Sequence, residues 1–206
     1  MLYYLLTAIC AYVIGSSNMA YYISKIKKID VKNEGSQNLG ASNATMLLGW
    51  SAGIITGVHD IAKSALAVFL ANLVFPELSF IGAVAGVASI IGHIYPFYLG
   101  FRGGKGFASF IGVTLALNFK MALVILVSFV AVAFVSNYIV AGTTTVVLSA
   151  PIALGIMAGS IILGLIIAVA SVIIIFKHRE NYVRIYKGDE YPFRKAFTKN
   201  PSFDKR

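Results

Sequence analysis

The sequence predicts an all-α integral membrane protein. Seven transmembrane helices are expected, with a short non-spanning segment after the first cytoplasmic loop, the N-terminus outside and the C-terminus cytoplasmic. Three observations carry this. Hydrophobic residues fill 58 % of the 206 positions and charged residues only 12 %, a balance outside the range of soluble domains. A span needs about 20 apolar residues, and the runs at about 2–24, 53–75, 79–99, 120–137, 140–157 and 159–177 meet or approach that length, with a shorter seventh at about 106–118. The cations also alternate with the runs. Lys25, Lys27, Lys28 and Lys32 follow the first, Arg102 and Lys105 lie between two later ones, and nine of the seventeen Lys and Arg fall from Lys177 to Arg206. Lys63 falls inside a run, and only Lys120 lies at the opposite end, so the positive-inside rule sets the orientation. The formal charge of +9 is then a topology signal and an attraction for membrane lipids, with no nucleic-acid partner implied.

The expected organisation is a single membrane domain over residues 1–192 and a basic cytoplasmic tail over 193–206. The first run lacks a basic leader and a small-residue cleavage site, so it is expected to stay as the first helix. Cys10 is the one cysteine, and His59, His93 and His178 show no ligand spacing, so no metal and no cofactor is expected.

After the first span comes a polar, glycine-punctuated stretch from Asp30 to Asn43. Its small hydroxyl and amide side chains suit hydrogen bonding to a polyol or phosphate, and equally an ordinary capped turn. The piece from Ala44 to Trp50 is apolar but short, and is expected to dip into the membrane without crossing. The next span carries His59, Asp60 and Lys63. Charge at such depth pairs or faces a cavity. An Asp60–Lys63 ion pair is the simplest account at i, i+3, and the alternative has Lys63 reaching an anion. Pro76 and Glu77 turn the chain outside, and Gly82, Gly86, Ser89 and Gly92 allow close helix packing on the way back.

The chain is then interrupted by Gly100-Phe101-Arg102-Gly103-Gly104-Lys105-Gly106. Four glycines in seven residues weaken any helix, while successive amides in such a turn can form a concave nest for an anion. Arg102 and Lys105 add full charges, so phosphate is the expected ligand. A nucleotide loop is excluded, because Leu99 stands where the first glycine of that pattern belongs and Gly106 follows the lysine. The alternative is a plain cytoplasmic turn. His93 lies beside it, and an imidazole there can exchange a proton near neutral pH. Ser136 and Thr143–Thr145 are expected to bond back to their own helices, and Pro151 to kink its span. His178, Asn181 and Arg184 share one face if the last helix continues past the membrane.

Taken together, these clusters resemble the bacterial acyl-phosphate:glycerol-3-phosphate acyltransferases. The first motif of that family resembles Asp30 to Asn43, the second Gly92 to Ser109 with its Phe-Arg-Gly-Gly-Lys-Gly core intact, and the third His178, Asn181, Arg184, Gly188 and Glu190. Asp60-Ile61-Ala62-Lys63 also matches the family's D-x-x-K. The resemblance implies a monomeric membrane enzyme that transfers a fatty acyl group from acyl phosphate to the 1-hydroxyl of glycerol 3-phosphate, forming lysophosphatidic acid. It implies Lys105, His178, Asn181 and Ser36 as catalytic residues. Substrate contacts are expected from Arg102, Gly103, Gly104, Asn38, Gly40, Asn43, His93, Lys63, Arg184 and Glu190. The chain departs from the family at Gln37, Ser42 and Met46, the last replacing a usual arginine. With Met46 in view, the alternative is a non-acylating paralogue that binds or transports a phosphorylated glycerol or lipid headgroup. No cysteine or Ser-His-acid set presents a nucleophile, so direct transfer without a covalent enzyme intermediate is expected.

Overall fold

The computed structural model describes residues 1–197, and among them every regular element is helical. The chain divides into two compact units, Met1–Leu117 and Asn118–Arg206.

In the first unit the expected opening helix is two, α1 (Leu2–Ser16) and α2 (Met19–Lys27). Asn18 makes the break: its backbone is extended and its Oδ1 accepts the Tyr21 amide, so it caps α2. Lys28 ends α2 in a left-handed conformation. The short apolar piece is α3 (Ala41–Leu48), stopped by Gly49 at φ 95°. Then follow α4 (Trp50–Val74), α5 (Ile81–Ile94) and α6 (Phe107–Leu117).

Backbones nearly touch in this unit. A Cβ on Gly15 of α1 would meet the backbone of Ser89 on α5, and one on Gly92 of α5 would meet the carbonyl of Tyr12 on α1. Gly112 of α6 lies in the same way on the backbone of Ile61 in α4. A separate apolar cluster of Ala20, Val31, Leu39, Ala44, Leu48, Ala52 and Leu99 draws the loop after α2 onto α3, α4 and the residues after α5. Burial of Val31 and Leu39 is what fixes an otherwise polar loop.

The second unit holds α7 (Phe119–Ser136), α8 (Ile139–Met157), α9 (Ile161–Lys177) and α10 (Arg179–Lys187). Asn118 and Ser160 cap α7 and α9 through side-chain oxygens. Ser136, Thr143, Thr144 and Thr145 each bond the carbonyl four residues back, as expected. Pro151 lies inside α8, which continues through it as one element. The helix after the last apolar run bends by 42° at His178. Of the expected tail, residues 193–197 form a 3₁₀ turn and 198–206 lie outside the described residues.

Among the described residues, five helical stretches are long and apolar enough to cross a bilayer, with α1 and α2 counted as one, and six if the bent α9–α10 pair is a span. The exposed apolar side chains of α4 (Ile54, Val58, Phe69, Leu73) and α7 (Val124, Val127) are the surface a bilayer would cover. The seventh expected span is α6, which at 11 residues rises only about 16 Å against a core of about 30 Å.

The α1–α5 contact generates a test. Gly92→Ala forces a methyl group into the Tyr12 carbonyl, so it should lower unfolding free energy by about 1–3 kcal/mol, read as a lower Tm in detergent.

Candidate active site

Two polar segments form the cluster of the first unit. Residues 28–40 lead from α2 to α3, and residues 95–106 lead from α5 to α6. Three bonds fasten them together. The Leu39 amide donates to the Gly103 carbonyl at 3.3 Å, Lys32 Nζ donates to the Leu99 carbonyl at 2.9 Å, and Arg102 Nη2 reaches the Lys32 carbonyl at 3.4 Å. Asn18 braces the loop from behind, with Nδ2 donating to the Leu39 carbonyl at 2.9 Å.

The loop's shape comes from Asn43, in the first turn of α3. Its Nδ2 donates to the carbonyls of Val31 (3.0 Å) and Glu34 (3.2 Å), and its Oδ1 accepts the Ser36 amide (2.9 Å). Both amide hydrogens and one lone pair go to the loop backbone. This corrects the expectation that Asn43 meets substrate: it is fully buried and shapes the loop that carries Ser36. Ser36 and Asn38 are half-buried, and Gly40 starts α3 with Asn38 Nδ2 against it. Gly35 and Gln37 both have left-handed backbones, at φ 61° and 54°. At Gln37 a side chain makes this conformation unfavourable by about 1–2 kcal/mol. Asp30 is held below the usual carboxylate range by the Asn33 amide, which donates to it at 2.7 Å.

The glycine turn differs from the expected nest. The Gly103 amide donates to the Ile94 carbonyl and the Gly104 amide to the His93 carbonyl, each at 3.1 Å. Both therefore serve the end of α5, and the positive charge of the turn comes from Arg102 and Lys105. Both glycines are buried because a Cβ has no room: at 103 it would meet the His93 carbonyl, and at 104 the His93 ring. Gly100 (φ 64°), Phe101 (φ 59°) and Gly106 (φ 92°) turn the chain in left-handed conformations. Arg102 is exposed and Lys105 half-buried, two residues before α6 begins.

Lys63 and His93 also depart from expectation. Both are buried, at 6 % and 3 % exposure. Lys63 Nζ donates to Asp60 Oδ1 (2.7 Å), to the Ser17 carbonyl (2.6 Å) and to His93 Nδ1 (2.9 Å). An ammonium has three hydrogens, so none is left for substrate. The expected Asp60–Lys63 pair is present, and His93 belongs to it rather than to an anion.

In the second unit the bend between α9 and α10 presents His178. It is buried, and its Nδ1 donates to the Ile174 carbonyl at 2.8 Å. Asn181 Nδ2 donates to Glu190 Oε1 (2.6 Å) and Arg184 Nε to Glu190 Oε2 (2.7 Å). Glu190 was expected to bind substrate. Its two oxygens instead receive Asn181 and Arg184, tying the end of α10 back on itself. Thr144 Oγ1 and the Tyr182 hydroxyl meet at 2.6 Å and join α10 to α8.

Sequence reading missed Asn18 and Lys32 as parts of the cluster. The polar Ser16-Ser17-Asn18 interruption of an apolar run was the available signal for the first. Lys32 was counted only as a topology charge.

The family pattern described as glycerol-3-phosphate acyltransferase matches residues 5–188. The chain belongs to that family. It is 32 % identical over 189 residues to a protein named glycerol-3-phosphate acyltransferase from Aquifex aeolicus, covering 92 % of this chain and 98 % of the relative. It also resembles two crystal structures of PlsY (YgiH), an integral membrane glycerol 3-phosphate acyltransferase, both at 31 % identity. The glycerol 3-phosphate form has a TM-score of 0.87, with 95 % of this chain and 99 % of that one covered. For the lysophosphatidic acid form the TM-score is 0.83, with 92 % and 94 % covered.

The loop geometry of this family member can be tested directly. Gln37→Gly should relieve the left-handed strain and raise unfolding free energy by about 1 kcal/mol, measured by thermal melting. Asn43→Ala should cost about 1–3 kcal/mol and speed amide exchange at Ser36.

Proposed function

We propose that the protein transfers a fatty acyl group from acyl phosphate to the 1-hydroxyl of glycerol 3-phosphate, releasing lysophosphatidic acid and inorganic phosphate. Family membership supports the reaction class. The observation that carries the site is the bonded pair of segments holding Arg102 and Lys105 beside the loop of Ser36 and Asn38. Met46, half-buried on α3, brings no charge where an arginine is usual in the family, so Arg102 and Lys105 carry the phosphate contacts.

In this reading the 1-hydroxyl oxygen attacks the acyl carbonyl carbon, and the bond from that carbon to the phosphate oxygen breaks. The donor is already activated. Lys105 and Arg102 then serve by orienting the phosphates and stabilising negative charge as it develops. The hydroxyl proton leaves on the departing phosphate, so the step balances within the two substrates. In the second unit the third motif keeps its own order, with Asn181 and Arg184 held by Glu190.

The site faces the cytoplasm, since fifteen of the seventeen cations lie in the segments assigned to that side. Seven crossings satisfy the parity of an outside N-terminus and a cytoplasmic C-terminus, with short α6 as the fourth and α3 re-entrant.

Purified protein given labelled glycerol 3-phosphate should form lysophosphatidic acid from palmitoyl phosphate and none from palmitoyl-CoA. Product from the thioester alone would overturn the donor assignment. Lys105→Ala should lower kcat/KM at least about a hundredfold, as loss of a charge-stabilising contact does. Unchanged turnover would remove the phosphate role.

A further inference from the structure

We propose that Asp60, Lys63 and His93 form a positioning unit for Lys105, acting through the grip of His93 on the two glycines that precede it. The inference rests on the reading of Lys105 as a phosphate contact. None of the three touches substrate, because all are buried, at 1 %, 6 % and 3 % exposure.

The chain of contacts is short. Lys63 on α4 directs one hydrogen to Asp60 on its own helix, one to the Ser17 carbonyl at the break between α1 and α2, and one to His93 Nδ1 on α5. Asp60 Oδ1 also lies 3.3 Å from that nitrogen. An ammonium only donates, so Nδ1 is an acceptor, the ring is neutral, and its rotation is fixed. Asp60 Oδ2 has no hydrogen-bond partner among the described residues. The carboxylate is therefore held in the cluster chiefly through Oδ1 and Lys63.

The fixed ring meets the turn on its other edge. A Cβ on Gly104 would strike Nε2 and Cε1 of His93, and a Cβ on Gly103 would strike the His93 carbonyl. That carbonyl also takes the Gly104 amide, at 3.1 Å. One residue thus holds two consecutive glycines by ring and by carbonyl, and the next residue is Lys105. Any freedom given to the ring passes directly to the backbone that carries the lysine. A displacement near 1 Å at a positioned group is enough to lose much of its catalytic value.

The test compares His93→Gln with His93→Leu in purified enzyme, reading Tm, kcat and the KM for each phosphate substrate. Glutamine keeps a neutral acceptor for Lys63, whereas leucine fills similar space without one. His93→Gln should stay within about threefold of wild-type kcat/KM, and His93→Leu should fall about twentyfold or more, with the KM of a phosphate substrate raised about tenfold. Loss of folded enzyme lowers kcat and leaves KM unmoved, so the KM separates positioning from simple stability. Should His93→Leu fail to fold, the double variant Asp60→Asn/Lys63→Met removes both buried charges together and is read the same way. Wild-type KM values in the folded variants, beside an inactive Lys105→Ala, would overturn the positioning unit and leave the phosphate role standing. An active Lys105→Ala would overturn the phosphate role itself, and the positioning unit with it.

Discussion

Lys63 has three hydrogens to give and gives all three inside the protein. A buried ammonium in a membrane helix is tolerated only when its charge is matched and every donor is used. That requirement locks three elements in register: the α1–α2 break through Ser17, α4 through Asp60, and α5 through His93. Loss of either charged partner would leave the other buried and unmatched, a far larger penalty than loss of the whole pair. The close backbone contacts of Gly15, Gly92 and Gly112 are the apolar counterpart of the same constraint. They let helices approach until the short polar side chains between them can reach one another.

On this frame the polar segments are shaped chiefly by backbone hydrogen bonds that side chains satisfy. Asn43 and Asn18 do for the first loop what a regular element would otherwise do, each bonding main-chain groups from more than one direction. The apolar cluster of Val31, Leu39 and Leu99 then seats the loop beside the glycine turn. In the second unit the same economy recurs at Glu190, which receives Asn181 and Arg184 together.

Much of this was legible in the residues. The apolar runs gave the helices, the i, i+3 spacing gave the Asp60–Lys63 pair, and the motif residues gave the family. What escaped was the direction in which amides point. Gly103 and Gly104 look identical in sequence whether their amides face a ligand or the end of α5, and only the position of His93 decides. Asn43 likewise matches a binding motif, yet its side chain is enclosed by main-chain partners fixed by the fold of residues 31–36. The division of the opening run at Asn18 was missed because hydrophobicity summed over a window hides a single capping residue.

Phe101, on a left-handed backbone, and Phe97 are both exposed aromatic residues in the segment that leads into the glycine turn. Aromatic rings at the ends of spans settle at the level of lipid headgroups. In the cytoplasm-facing orientation proposed above, the two rings would act as a float line, setting how deep Arg102 and Lys105 ride relative to the membrane surface. At that depth a water-borne polar molecule and the head of a lipid-borne one can reach the same pair of cations, with the fatty tail of the second remaining in the hydrocarbon.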